Sequence, residues 1–355
     1  MVRSLAAILI LFLAVGVFGC GSSNSGGSHN AYVTLPGSDQ VTGFQVNNES
    51  GSLTAIKGAP FGAGKAPTSV AIHPSNKFLY VANAAEATVS LFTIGNAGGL
   101  TEVTPRTAVG SNPVSLAIDS AGSFLYVGNF ASNSLSVFSI GADGSLTESV
   151  ASPIPISSPI AMEITPSGKF LYVSNANSST VSAFSLNAGI PVAIAGSPFP
   201  GQAGPAGLAV DASEHFLYVA NPLAGNFSGY DIGSSGALST IGGSPFTAGT
   251  NPISLMFSLT GNFLYVANQG SDNVSAFSID ANSGFPTAVT GSPFTAGTGP
   301  IVLARDPAGT FIYCLNQKSK NISGFNVDSS TGALKVNSQQ QAGTVAVPSS
   351  MAFVH

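Results

Sequence analysis

From about residue 31 onward the chain alternates short apolar runs with clusters of Gly, Asn, Asp and Ser. One stretch shows the pattern. Pro113 to Asp119 is apolar and is followed by a Ser-Ala-Gly turn, then by the aromatic and β-branched run Phe124-Leu-Tyr-Val-Gly-Asn129. Ser134 to Ile140 alternates polar and apolar with a period of two, Ala142-Asp-Gly144 supplies a hairpin turn, and Ser145 to Val150 is a more polar run. Period-two runs joined by such turns predict four antiparallel strands. No segment sustains a helical period.

The unit recurs. Its central tyrosine stands at Tyr32, Tyr80, Tyr126, Tyr172, Tyr218, Tyr265 and Tyr313, at intervals of 46 to 48 residues. Four strands per repeat of that length describe a propeller blade, so the chain predicts an all-β, seven-bladed β-propeller of four-stranded antiparallel blades. A proline opens each axial strand, at Pro67, Pro113, Pro159, Pro205, Pro252, Pro300 and Pro348. The first tyrosine run has no axial strand before it, and the last axial run has no tyrosine strand after it. The C-terminal strand is therefore expected to join the first blade and close the ring, removing an exposed edge. Burial is expected to fall from the first strand of each blade to the fourth. In Gly196-Ser-Pro-Phe199, Gly243-Ser-Pro-Phe246 and Gly291-Ser-Pro-Phe294, phenylalanine is expected to be buried at the blade crossing, and proline to keep the segment out of the sheet.

The first residues have a different character. Arg3 precedes an uncharged apolar run from Leu5 to Phe18. That run is too short for a bilayer core of roughly 30 Å and fits a signal peptide over residues 1–19. It ends in Val17-Phe18-Gly19-Cys20, similar to a bacterial lipobox, which makes Cys20 the expected lipidation site. Residues 20–30 read as a Gly/Ser/Asn tether with an r.m.s. span of roughly 16–19 Å. The propeller then occupies residues 31–355. These features predict an exported protein held at a bacterial envelope, its membrane partner reached through the lipid.

Only 7% of residues are charged and the net charge is −5, so the chain lacks the basic stripe that nucleic acid requires. Its two cysteines, Cys20 and Cys314, predict no intramolecular disulfide and no Cys-rich metal site. His29 falls in the tether, His73 and His215 in turns, and His355 at the end, so no histidine cluster for metal is expected, and no cofactor. Asp39, Glu86 and Asp272 read as solvated loop charges.

Three features remain as candidate chemistry. Asn83, Asn129, Asn175, Asn221, Asn268 and Asn316 end their tyrosine strands; Leu35 breaks the series. Such residues stabilise turns through their own backbone, or form an uncharged polar collar at a channel mouth. At the fourth place after the axial proline other repeats have alanine or methionine, and the fourth repeat has Glu163. At the fifth place the seventh repeat has Arg305 among apolar siblings. Charges near a propeller axis are costly unless paired or wetted. Their opposite side-chain parity argues against a direct salt bridge, which leaves both as candidate ligand-binding residues.

Blade motifs such as Ala71-Ile-His-Pro-Ser-Asn-Lys-Phe-Leu-Tyr80 and Asp143-Gly-Ser-Leu146 resemble those of the seven-bladed lactonase family, whose known members include propeller-type 6-phosphogluconolactonases. The resemblance covers residues 31–355 and implies hydrolysis of a sugar lactone at one channel mouth. It also implies catalytic Gly-Pro-Arg-His entering one axial strand and Asn-Glu ending the next strand. The matching stretches here are Gly204-Pro205-Ala206-Gly207 and Asn221-Pro222, and a preceding blade reads Ser158-Pro159-Ile160-Ala161. The expected Arg, His and Glu positions are thus Ala206, Gly207 and Pro222, which leaves enzymatic activity open and argues against a phosphogluconolactone substrate. The expected function is an envelope-anchored binding or scaffold lipoprotein with a carbohydrate, peptide or envelope protein at a channel mouth. A lactonase-like hydrolase with altered substrate is the alternative, and a structural or adhesive surface protein the second alternative.

Overall fold

In the computed structural model, which describes residues 27–343 and 346–354, seven antiparallel sheets form a closed ring. Blades are numbered 1 to 7 by their tyrosines. The first strands are Pro67–Ile72, Pro113–Ile118, Pro159–Ile164, Leu208–Val210, Pro252–Phe257 and Pro300–Arg305 in blades 2 to 7. They touch one another in chain order, and Ser350–Phe353 completes the circle between Pro300–Arg305 and Pro67–Ile72. That last strand pairs with Ser28–Leu35 of blade 1, placing Tyr32 opposite Ala352. The C-terminal latch is present. Ser28–Leu35 begins before residue 31, so His29 sits in a strand rather than in a tether; its ring bonds Asn48 at 2.7 Å and packs on Phe353.

Register fixes which end of a blade is which. Pro67 pairs with Asn83 and Ile72 with Leu79, so the prolines and asparagines share one face of the ring. The turns from first to second strand and the hairpins from third to fourth strand lie on the other, termed here the hairpin face.

Burial peaks in the second strand, not the first as expected. All seven tyrosines have 0% exposure, whereas Pro159–Ile164 is half-buried over most of its length. The first strand borders the axial channel, so one of its flanks has no packing partner.

Each tyrosine reaches the next blade. Tyr32 donates its hydroxyl hydrogen to Gly98 O at 2.7 Å, Tyr126 to Gly189 O at 2.7 Å, and Tyr313 to Gly51 O at 2.8 Å. Tyr80, Tyr172, Tyr218 and Tyr265 repeat the bond to Gly144, Gly236, Gly284 and Gly332. Every acceptor is a hairpin glycine with φ between 65° and 83°, a conformation that L side chains seldom adopt. A Cβ on Gly144 would lie 2.7 Å from the Phe78 ring. Burial pushes all seven phenols up in pKa, keeping them neutral donors.

The Ser-Pro-Phe segments correct a second expectation. Phenylalanine does join the sheet: Phe199–Pro200, Phe246–Thr247 and Phe294–Thr295 pair with their third strands. Phe246 is buried, while Phe199 and Phe294 are half-buried. Proline interrupts the fourth strand instead of excluding it, and the serine repairs the gap. Ala183 N, Gly229 N and Ala276 N each donate to the hydroxyl of Ser197, Ser244 or Ser292 at 2.9 Å.

Candidate active site

Glu163 and Arg305 line one cavity. It has a volume of about 410 Å³ and is walled by Leu208, Leu255, Phe257 and Leu303, with Pro166, Ala212 and Leu259 from the hairpin-face turns at its rim. A size in the range of about 300–1,000 Å³ suits a small-molecule ligand. The mouth therefore opens on the hairpin face, across blades 4 to 7.

The register explains why these two side chains are unusual. Glu163 lies opposite Tyr172. The equivalent residues opposite the other tyrosines are Ala71, Ala117, Ala209, Ala304 and Ala352, with Met256 in blade 6. The carboxylate thus occupies a place that five blades fill with a methyl group. Glu163 lines the cavity, and among the described residues no group donates a hydrogen bond to its carboxylate. Desolvation pushes its pKa up from 4.5 to about 8, and the Arg305 charge offsets only part of that rise.

Arg305 lies opposite Ile312, at the last place of its strand. Its Nη1 donates to the Phe257 carbonyl at 2.9 Å, while its buried Nε has no partner. Burial lowers its pKa, and the Asp306 and Glu163 charges oppose that shift. No ion pair joins Glu163 to Arg305; the ion pairs among the described residues are Lys65 with Asp39, and Arg106 with Glu86 and Glu102. The cavity consequently holds an enclosed carboxyl, unbridged to a guanidinium with spare donor capacity. Phe257 O, a backbone acceptor, carries no signal in the sequence.

The asparagine collar does not take part. All six asparagines are buried at 0–1% exposure. Each Nδ2 donates to side chains of its own third strand: Asn83 to Thr88 and Ser90, and Asn175 to Thr180 and Ser182. Asn129, Asn221, Asn268 and Asn316 repeat the arrangement. They brace second strand to third through side chains, where the sequence suggested their own backbone or a ligand. They also stand roughly 10 Å along the strand from the Glu163 level, on the opposite face. Leu35, in the seventh position, is 2% exposed and packs in the core.

The place where the lactonase resemblance puts cations is closed. Gly207 N donates to Ile253 O at 3.0 Å, and a Cβ at Gly207 would lie 2.8 Å from that oxygen. Blade 5 there meets blade 6 backbone to backbone, so a histidine at 207 has no room without main-chain movement. Ala206 is buried and its carbonyl accepts from Ser174 Oγ at 2.6 Å.

The remaining sequence candidates are structural. His73 bonds Gly122 O and Ser75 Oγ, both at 2.8 Å, and His215 packs edge-on against Phe216. Asp39, Glu86 and Asp272 are not simply solvated: Asp39 pairs with Lys65 and accepts from Ala66 N, Glu86 pairs with Arg106, and Asp272 accepts from Gly299 N. Cys314 is fully buried, and desolvation raises its thiol pKa, which makes it a poor nucleophile. Cys20, the signal run and His355 lie outside the described residues.

The family model for "Lactonase, 7-bladed beta-propeller" matches residues 27–190, 191–293 and 288–353. Solved structures with similar folds include a proposed 6-phosphogluconolactonase from Bacteroides uniformis, at 20% identity and TM-score 0.82 over 92% of this chain and 99% of that one. A proposed 6-phosphogluconolactonase from Bacteroides fragilis gives 22% identity and TM-score 0.81 over 94% and 100%. The periplasmic gluconolactonase PpgL of Pseudomonas aeruginosa gives 22% identity and TM-score 0.76 over 93% and 99%. Identities this low carry the fold alone. The comparison with curated proteins finds no match.

Proposed function

Because the chain belongs to the lactonase family of seven-bladed β-propellers, we propose that it hydrolyses an uncharged lactone in the Glu163–Arg305 cavity. The expectation of a binding or scaffold protein is corrected by that membership, because the matched family is one of lactonases. The observation that carries the reading is the shared cavity. It supplies a titratable base and a cation within one enclosure, at residues where sibling blades have apolar side chains.

The reaction needs a proton acceptor for water and a cation for the developing oxyanion. In the ionised form, Glu163 takes a proton as water oxygen bonds to the ring carbonyl carbon. Arg305, through donors not committed to Phe257 O, stabilises the negative carbonyl oxygen. Collapse breaks the ring C–O bond, and the proton on Glu163 passes to the departing alkoxide, giving an open hydroxy acid. The same pair selects against phosphorylated lactones, since one partly committed guanidinium faces a carboxylate and no second cation lines the cavity. An aldonolactone such as glucono-δ-lactone fits that charge pattern.

The test is hydrolysis above the spontaneous rate. Wild-type protein is expected to open glucono-δ-lactone and to prefer it over the 6-phosphorylated form. Glu163→Gln is expected to lower kcat by about 10²–10⁴, and Arg305→Ala by about 10²–10³. Wild-type rates in either variant, or no hydrolysis of any lactone offered, would refute the assignment.

Export and lipidation on Cys20 belong to the same proposal. Support comes from the Leu5 to Phe18 run, from the Val17-Phe18-Gly19-Cys20 sequence, and from the fold shared with a periplasmic gluconolactonase.

A further inference from the structure

We infer that the lipid anchor fixes which way the molecule faces: the hairpin face, with the cavity mouth, looks toward the bilayer and the asparagine face looks away. The inference rests on the Cys20 lipidation proposed above and on the position of Ser28. It stands whether or not the cavity hydrolyses a lactone.

Ser28 opens the second strand of blade 1, which runs from the hairpin face to the asparagine face. Its first residue pairs with Asn47 beside the Asn48–Ser52 turn, and its last residue, Leu35, occupies the level of the asparagines. The chain therefore leaves the propeller on the hairpin face. That is also the face of Pro166, Ala212 and Leu259, which rim the cavity.

The reach of the anchor then excludes the asparagine face from the membrane. Cys20 is eight residues before Ser28, and eight residues span at most about 26–29 Å in any conformation. To bring the asparagine face to the membrane, the segment would have to pass outward across two strands, about 10 Å, and climb the blade height, about 26 Å. That path of roughly 36 Å exceeds what the segment can cover. The axial route is no better: it crosses the first strand, about 5 Å, and climbs the same blade height, roughly 31 Å in all.

Two consequences follow for what meets each face. The cavity mouth opens into a gap no deeper than about 29 Å, which admits a small lactone but not a folded protein of this size. The asparagine face is the one that a soluble partner can approach.

The orientation is measured on full-length lipidated protein in liposomes. The native cysteines do not interfere, since Cys20 carries the lipid and Cys314 is fully buried. Ser235→Cys and Ala224→Cys place a fluorophore at exposed positions on opposite faces of blade 5, away from the anchoring blade. With acceptor dye on the lipid headgroups, the roughly 26 Å of blade height between the probes is expected to give about twofold or higher transfer from residue 235. Equal transfer, or higher transfer from residue 224, would overturn the orientation. Mass spectrometry of the same sample reads the premise separately: an unmodified Cys20 would overturn the anchor and the orientation with it, leaving the hydrolase reading untouched.

Discussion

A carboxyl at position 163 replaces the methyl group that faces the same tyrosine in five other blades. That exchange is expensive. With a folded-state pKa near 8 against an ordinary 4.5, the folded protein binds a proton that the unfolded chain has already lost. Stability accordingly falls as pH rises from about 4.5 to about 8, and above 8 the ionised carboxylate carries its full desolvation cost. Glu163→Gln should therefore raise the melting temperature at pH 9 by an amount equivalent to a few kcal/mol, and leave it nearly unchanged at pH 4.5. In wild type, kcat/KM should climb with pH through about 8, because only the ionised form accepts a proton from water. A rate that is flat between pH 6 and 9, together with an unaltered Glu163→Gln melting profile, would remove Glu163 from the mechanism. The sequence marked Glu163 and Arg305 because a repeat makes an exception visible. It did not show that they share a cavity, since that depends on the residues of blades 5 and 6 that line the space with them.

Neighbouring blades are tied by parts that the repeat pattern shows only as spacing. Tyrosine and hairpin glycine are separated by 63 to 67 residues in six of the links, by 262 in the seventh, and the bond between them is invisible in either motif alone. Tyr126→Phe removes one such bond and leaves the Gly189 carbonyl short of its partner. The expected loss is about 1–3 kcal/mol, read by denaturant unfolding; a loss indistinguishable from zero would mean that water replaces the hydroxyl. The Ser-Pro-Phe segments are legible as punctuation, but their pairing in the sheet is not. Their serine accepts the third-strand N–H that the interrupted fourth strand leaves open, a role that only register reveals. The asparagines were likewise visible as a series, yet their partners lie five and seven residues onward, in the next strand.

At the scale of the molecule, ring closure could be deduced by counting prolines against tyrosines, and Ser350–Phe353 takes its place beside Ser28–Leu35 accordingly. Function was harder to read, because the residues that the lactonase resemblance singles out are absent. At Gly207, where the resemblance implies histidine, the backbone of the next blade leaves no room for a side chain. What remains is one cavity that holds both Glu163 and Arg305. Substrate is expected to sit there, against Arg305 and Glu163. A crystal structure of Glu163→Gln soaked with glucono-δ-lactone or its open aldonate tests it most directly. The predicted result places the carboxyl or carbonyl oxygen of the ligand within hydrogen-bond distance of the Arg305 guanidinium, inside the hairpin-face mouth. Ligand bound instead at the asparagine face, with the Glu163 cavity empty, would contradict it.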